Sequence, residues 1–153
     1  MVNKKIKAVD VAKYICREYK RRYKDVLSAM KLQKLLYYSQ AWSLVWDEKP
    51  LFDEKIEAWV GGPVIREIYD LHKGFFNVNQ STFSQGNPDK LSNIQKETIN
   101  VVIEYYGERS PQWLSDLTHM EEPWKKAREG LSIKERGNNE ITLESMAEYY
   151  GNL

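Results

Sequence analysis

The segment from Ser28 to Trp46 places the strongest constraint on the fold, because its C-terminal half is apolar nearly all round. Ser28 suits the N-cap position, where a side-chain oxygen accepts from a free backbone N–H of the first turn. A helix that is apolar on every side has to be surrounded by other elements. The segment therefore predicts a buried central helix, with Lys31 and Lys34 near its start expected to face solvent. Its predicted apolar residues are Leu32, Leu35, Leu36, Tyr38, Ala41, Trp42, Val45 and Trp46.

Other helices are predicted where a capping residue precedes apolar residues at helical spacing. Asp10 is expected to cap a helix that runs to about Arg22. Ser92 and Gln95 form a capping-box pattern that opens another helix. Three short helices are expected to begin at prolines, since the missing N–H costs nothing in the first turn. These prolines are Pro63, Pro111 and Pro123. The buried face of the helix after Ser92 is expected to comprise Ile94, Thr98, Val101, Val102 and Tyr105.

A short β element interrupts the helical pattern. Residues 55–60 alternate between apolar and polar side chains, as is typical of a strand. Ile141 is expected to add a second strand beside them, and Gly61-Gly62 permits a sharp chain reversal. The sequence has no internal repeat and no linker-like change of composition. It predicts a mainly α fold, a compact single-domain helical bundle over residues 1–153 with about six to seven helices and a small two-stranded β element.

Composition narrows the function classes. The one cysteine, Cys16, excludes an internal disulfide and fits a reducing compartment. No apolar run is long enough to cross a membrane and the N-terminus lacks a secretory signal, so a cytoplasmic location is expected. A net charge of +1 gives no general electrostatic case for nucleic acid. Five tryptophans and ten tyrosines favour protein interfaces, where these residues act as anchors.

Two segments keep alternatives open. The basic residues between Lys13 and Lys24 are interpreted as the solvated face of a helix, with a phosphate-binding patch as the alternative. The irregular stretch 75–90 is predicted to be a surface loop. Its phenylalanines, Phe75, Phe76 and Phe83, are expected either to pack onto the core or to form an exposed contact patch.

Reactive clusters are sparse. Cys16 falls on the apolar stripe of the first helix, where a free cysteine usually acts as a small hydrophobe and not as a nucleophile. The two histidines, His72 and His119, lack the partner spacing of a metal site. Thr118 and His119 are interpreted as structural residues that bond the backbone at a helix corner. An enzyme acting through Thr118, His119 and Glu121 is the remaining catalytic alternative.

Three ordered strings resemble the Panacea antitoxin domain family, also described as SocA-like or phage-associated GepA-like proteins, over nearly the whole chain. The first string is residues 31–38, the second joins 50–52 to 58–59 and 62–64, and the third is 118–124 followed by Ala127 and Arg128. The positions that carry the resemblance are Leu32, Gln33, Lys34, Leu35, Tyr37, Trp59, Gly62, Pro63, Val64, Thr118, His119, Glu121, Pro123 and Trp124.

The resemblance implies an antitoxin without catalytic activity, metal or cofactor. Its partner would be a cognate protein toxin encoded nearby, neutralised by direct contact. A SocA-like member would instead deliver the toxin to a cytoplasmic protease as an adaptor. A further alternative is a phage-associated regulator that binds nucleic acid or a host protein. Residues outside the strings would set partner choice, and the candidates are Phe75, Phe76, Phe83 and Arg66.

Overall fold

The computed structural model describes residues 5–153 and confirms the predicted mainly α fold, with two small sheets of two and three strands in the described part. Within these residues, no helix is long and apolar enough to cross a membrane. The α-helices of the described part are α1 Ala8–Tyr23, α2 Ala29–Trp46, α3 Arg66–His72, α4 Asn93–Tyr106, α5 Pro111–Met120, α6 Glu122–Ala127 and α7 Leu143–Gly151. The strands are β1 Leu27–Ser28, β2 Ile56–Trp59, β3 Gly62–Ile65, β4 Asn77–Val78 and β5 Glu140–Ile141.

Helix α2 lies at the centre of the molecule, as its sequence predicts. It packs against α1, α4, α5, α7 and β3. The Ser28 hydroxyl accepts from the Lys31 backbone N–H at 3.1 Å and begins the helix. Leu32, Leu35 and Leu36 are completely buried. Residues 31–41 are buried on every side and form the core around which the other elements assemble. The C-terminal half was predicted to be buried all round, but Trp42, Leu44 and Val45 are only half-buried and Trp46 is 49% exposed.

The prediction that Lys31 and Lys34 face solvent was wrong. Both are buried. The Lys31 ammonium donates to the Gly107 carbonyl at 2.8 Å and lies 3.2 Å from the Tyr19 hydroxyl. A cation at the last carbonyls of a helix is favourable, so Lys31 ties α2 to the end of α4.

Helix α1 begins earlier than predicted, and Asp10 is not its N-cap. Lys7 occupies the N-cap, and the Asp10 carboxylate accepts from the Lys7 backbone N–H at 2.9 Å as the third helical residue. Asp10 also accepts from the Asn87 N–H at 2.7 Å and pairs with Lys90 at 3.3 Å. A carboxylate can accept from free N–H groups of the first turn either as the N-cap residue or as the third helical residue. The sequence pattern therefore did not distinguish these two positions. The buried Asp10 thus fixes the far end of the 75–90 segment to α1.

The β element is larger than expected around Pro63. Strands β2 and β3 form an antiparallel hairpin in which Ala58 faces Pro63, and β5 pairs with the other edge of β2 through Ile56 and Ile141. The predicted helix start at Pro63 was wrong, because α3 begins only at Arg66. A proline is compatible with an edge strand for the same reason that it is compatible with a first helical turn, since neither requires its N–H.

The buried face of α4 is offset from the prediction. Thr98 and Val102 are buried as expected, but Ile94, Val101 and Tyr105 are exposed. The residues that complete the buried face are Ile99, Ile103 and Tyr106. Apolar residues occupy both sides of this helix, so periodicity alone did not select the stripe that faces α2.

Segment 75–90 is less irregular than predicted. Strand β4 pairs antiparallel with β1, placing Val78 opposite Leu27. Two short 3₁₀ turns follow, at Gln80–Phe83 and Pro88–Lys90. The segment is therefore held at several points along its length.

Two buried glutamines on α2, seven residues apart, replace missing backbone partners. Gln33 accepts from the Ile65 N–H at 2.9 Å and donates to its carbonyl at 3.3 Å. Gln40 accepts from the Leu51 N–H at 2.7 Å and donates to the Phe52 carbonyl at 2.8 Å. Buried backbone groups require such partners, so these amides hold β3 and residues 51–52 against the helix.

Replacing Gln40 by leucine is expected to lower the free energy of unfolding by about 2–4 kcal/mol, because it leaves buried backbone groups at residues 51–52 unpaired. Urea denaturation followed by circular dichroism measures the change. Gln112→Leu is the matched control, since Gln112 makes only an exposed bond to Asp116 and should cost little. Equal losses in the two variants would contradict the clamping role of Gln40.

Candidate functional site

The second and third sequence strings contact each other directly. Trp124 on α6 donates from Nε1 to the Trp59 carbonyl on β2 at 2.8 Å. Arg128 donates to the neighbouring Ala58 carbonyl at 2.9 Å. The His119 ring stacks on Trp124 with centroids 4.0 Å apart. The α5–α6 corner is thus fastened to the β2–β3 hairpin by hydrogen bonds and aromatic packing.

Thr118, His119 and Glu121 have separate partners. The Thr118 hydroxyl donates to the Ser115 carbonyl at 2.7 Å within α5, in agreement with a structural role for that residue. His119 Nε2 is buried without a hydrogen-bond partner in residues 5–153, and burial lowers the pKa of its imidazole, with the Lys34 charge adding to the effect. The Glu121 carboxylate instead belongs to a cluster of tyrosines.

Glu121 is 6% exposed and accepts hydrogen bonds from two tyrosine hydroxyls. Tyr38 on α2 and Tyr150 on α7 each lie 2.7 Å from Glu121 Oε1. The Tyr150 hydroxyl is also 3.0 Å from that of Tyr37, and Tyr38 stacks on Tyr106 at 4.1 Å. Burial raises the pKa of Glu121, and the two tyrosine bonds oppose that rise. The cluster joins α2, α7 and the α5–α6 corner at one point.

An apolar groove of about 590 Å³ opens beside this cluster. Several of its aromatic and aliphatic side chains are exposed, including Tyr105 at 65% and Met120 at 66%. Contiguous exposed apolar surface on a soluble domain is typical of an interaction site. Sequence reasoning missed the groove because Val101 and Tyr105 were assigned to the core. Its lining residues are Trp42, Trp46, Val101, Val102, Tyr105, Tyr106, Trp113, Leu117, Met120, Glu121, Tyr149 and Leu153.

The predicted contact residues outside the strings are not brought together. Phe83 is completely buried in the core, so its assignment as a partner contact is corrected. Phe75 and Phe76 are exposed, Phe76 at 83%, while the Phe76 carbonyl accepts from the Ala29 N–H at 2.8 Å. Arg66 donates two hydrogen bonds to Glu57, at 3.1 and 3.2 Å.

Lys34 is 2% exposed and lies beneath the β2–β3 turn. Gly62 has φ +127°, which favours glycine, and an added Cβ there would lie 2.6 Å from Lys34 Cε. Burial lowers the pKa of Lys34 to about 8. No residue of the described chain forms an ion pair or hydrogen bond with its ammonium.

Residues with metal-binding or nucleophilic chemistry are dispersed. Among residues 5–153, no group of three or more histidine, cysteine, aspartate and glutamate side chains is placed to hold a metal ion. Cys16 is buried, as predicted, and burial raises the pKa of its thiol to about 12. A thiol in this environment is a poor nucleophile.

Comparison with known proteins identifies one family. The family model described as "Antitoxin SocA-like, Panacea domain" matches residues 32–125, more than half of the chain. The match begins in α2 and ends in α6, so it includes Lys34, the β2–β3 hairpin and Glu121. Nothing among curated proteins or solved structures matches the chain.

In the Glu121→Gln variant, the free energy of unfolding is expected to change less with pH at acidic pH than it does in the wild type. A carboxyl whose folded pKa lies above its ordinary 4.5 contributes stability below pH 4.5, and that contribution is lost as the pH rises through the folded pKa. Denaturant unfolding of both proteins between pH 4 and pH 8 measures the difference. If the free energy of unfolding depends on pH equally in Glu121→Gln and in the wild type, burial does not oppose ionisation of Glu121, and the prediction is contradicted.

Replacing Lys34 by methionine is expected to raise the free energy of unfolding at pH 7 by about 1–3 kcal/mol, because an uncompensated buried cation is removed. Since the pKa falls from 10.5 to about 8 on folding, the wild type should gain stability as the pH rises from 8 to 10.5, and the variant should lose this gain. Lys31→Met is the matched control, because it removes a buried lysine that has partners and should destabilise. A less stable Lys34→Met protein would contradict the uncompensated charge.

Proposed function

Because the chain belongs to the family of SocA-like antitoxins with a Panacea domain, we propose that it is the antitoxin of a toxin–antitoxin system and neutralises a protein toxin by direct binding. The observation that carries this proposal is the apolar groove between α2, α4, α5 and α7. Its toxin-side occupant would be the apolar face of a helix, since grooves between helices accept amphipathic helices. Tryptophan and tyrosine anchors on the groove walls support a protein partner.

The groove walls are held in place from behind. Trp42 donates from Nε1 to the Tyr106 hydroxyl at 3.0 Å and stacks on Trp46 at 4.9 Å. Arg109 lies over the Trp113 ring at 4.4 Å on the opposite wall. Side chains that are already ordered lose little conformational entropy on binding. This arrangement favours tight binding by a surface that exists before the partner arrives.

The primary test is genetic and biochemical. The gene adjacent to this one should stop growth when it is expressed alone, and co-expression of this chain should restore growth. The two purified proteins should form a stable complex that buries at least about 1,200 Å². A harmless neighbouring gene product, or a toxic one that this chain neither binds nor neutralises, would contradict the proposal.

Charged substitutions in the groove are expected to abolish neutralisation while the fold is kept. Val101→Glu and Tyr105→Glu place a carboxylate on an exposed groove wall, where binding would bury it without a partner. Affinity for the toxin should fall at least about 100-fold. Growth rescue and calorimetric titration of the complex provide the readouts.

Ile94→Glu is the matched control for these variants. Ile94 is on the same helix and 63% exposed, but it is not part of the groove lining. Its substitution should leave rescue and affinity unchanged. Loss of rescue in Ile94→Glu, or full rescue by both groove variants, would remove the groove from the proposal.

The toxin level during rescue separates two modes of neutralisation. Occlusion predicts that growth is restored while the toxin level stays constant. Delivery to a cytoplasmic protease predicts that the toxin is degraded, and that rescue disappears in cells lacking that protease. Quantitative immunoblotting of a tagged toxin during co-expression distinguishes the two.

A further inference from the structure

We propose that the pocket beside Lys34 is a binding site for a carboxylate, which the Lys34 ammonium receives as an ion-pair partner. The pocket has a volume of about 210 Å³ and lies between α2, the β2–β3 hairpin and α3. This inference is independent of the groove and of the toxin proposal, because it concerns a different surface of the isolated protein.

Lys34 differs from the other buried charged residues of the described chain in lacking a partner. The remaining members of that set are each matched by an opposite charge or by hydrogen-bonding groups. Asp10 pairs with Lys90, and Glu18 pairs with Arg21. Lys31 and Arg128 donate to backbone carbonyls, and Glu121 accepts from tyrosines. Because the other buried charged residues all have partners within the protein, we infer that the partner of Lys34 is a bound ligand.

The structure accommodates Lys34 at a cost that its packing role does not require. An added Cβ on Gly62 would lie 2.6 Å from Lys34 Cε and 3.1 Å from Nζ, so the glycine leaves space beside the ammonium. A largely buried cation without an anionic partner is unfavourable. Methionine would fill a similar volume without charge. Among residues 5–153 no carboxylate pairs with Lys34. A ligand carboxylate would supply the missing charge.

The pocket lining suits a single carboxylate on a short aliphatic chain. Its walls include Met30, Val64, Trp59 and Tyr69, all apolar or aromatic, and Lys34 is the one basic side chain among them that is charged at neutral pH. The two polar lining residues, Gln33 and His72, contact each other at 3.0 Å. The Gln33 amide is also bonded to both backbone groups of Ile65. Burial lowers the pKa of His72, which keeps it neutral.

The adjoining surface favours anionic ligands. A second pocket of about 580 Å³ shares Trp59, Gly61 and Tyr69 with the first and has no carboxylate in its lining. It adds the cationic side chains of Arg66, Lys73 and Arg136. Arg66 is paired with Glu57, which leaves two cations at the rim without such a pair. Cations beside a pocket raise the local concentration of anionic ligands.

The test is an NMR titration of the isolated, isotope-labelled protein with glutarate and with its neutral diamide. Glutarate should cause saturable shifts at Lys34 and at the amides of Gly61 and Gly62, and the diamide should cause none. In Lys34→Met the affinity for glutarate should fall at least about tenfold, since one charge-assisted hydrogen bond is lost. Equal shifts from the diamide, or unchanged affinity in Lys34→Met, would overturn the site.

Two control variants test whether a loss of glutarate binding is specific to Lys34. Lys31→Met removes the other buried lysine of α2, and Lys20→Met removes an exposed lysine of α1. Each folded control should bind glutarate as the wild type does. A comparable loss in either control would show non-specific charge effects and would contradict a Lys34 site.

The source of the carboxylate is resolved by a third titration, with a short peptide that carries one internal glutamate and its glutamine counterpart. Binding of the glutamate peptide more tightly than glutarate identifies an acidic side chain of a protein as the natural ligand. Glutarate binding that exceeds peptide binding identifies a small free acid. Absence of carboxylate-dependent binding with either probe would overturn the inference, whatever the outcome of the toxin experiments.

Discussion

The burial of residues 31–41 of α2 is the constraint on which the rest of the structure depends. Polar side chains on this buried stretch cannot be hydrated, and most of them find a partner on another element. Those partners are the attachments that fix the periphery. Lys31 holds the end of α4, Gln33 holds β3, Tyr38 bonds Glu121, and Gln40 holds residues 51–52. The core helix thus specifies the positions of its neighbours as well as burying their apolar faces.

This organisation explains why sequence strings far apart in the chain meet in space. The β2–β3 hairpin lies against α2 through Gln33, and the α5–α6 corner reaches the hairpin through Trp124 and Arg128. Glu121 then links the same corner to α2 and α7. A polar network in which members share partners is cooperative, so disturbance at one member is transmitted to the others. The surfaces on either side of the network are correspondingly rigid.

Sequence patterns predicted the features that depend on local chemistry. Ser28 as a cap and the Ser92–Gln95 capping box follow from short-range rules, and the structure has both. The predicted strand at Ile141 also pairs with β2, although this contact is long-range. The errors concern choices that local rules leave open. Pro63 fits an edge strand as well as a helix start, and Lys34 carries a charge that usually marks an exposed position. Only tertiary packing decides such cases.

The candidate groove escaped prediction for a related reason. Helices α4 and α5 carry more apolar residues than one buried face requires, and a pattern of that kind does not show which stripe is left uncovered. Identification of the groove needed the position of α7, because Tyr149 on this helix and Leu153 after its end complete the lining. The Lys34 pocket likewise depends on the hairpin that folds over it, and no local pattern in residues 31–38 indicates that cover.

Some residues of the groove also belong to the core. These positions cannot vary without disturbing the fold, which limits where binding specificity can change. Trp42 and Tyr106 form the floor of the groove, yet they also bond each other and pack beside the tyrosine cluster, so their replacement would disturb the fold. Val101, Tyr105 and Met120 lie at the rim and contribute exposed surface. Substitutions at exposed positions away from networks change stability little. A chain of this architecture can therefore vary the rim of its groove while the network around α2 stays the same.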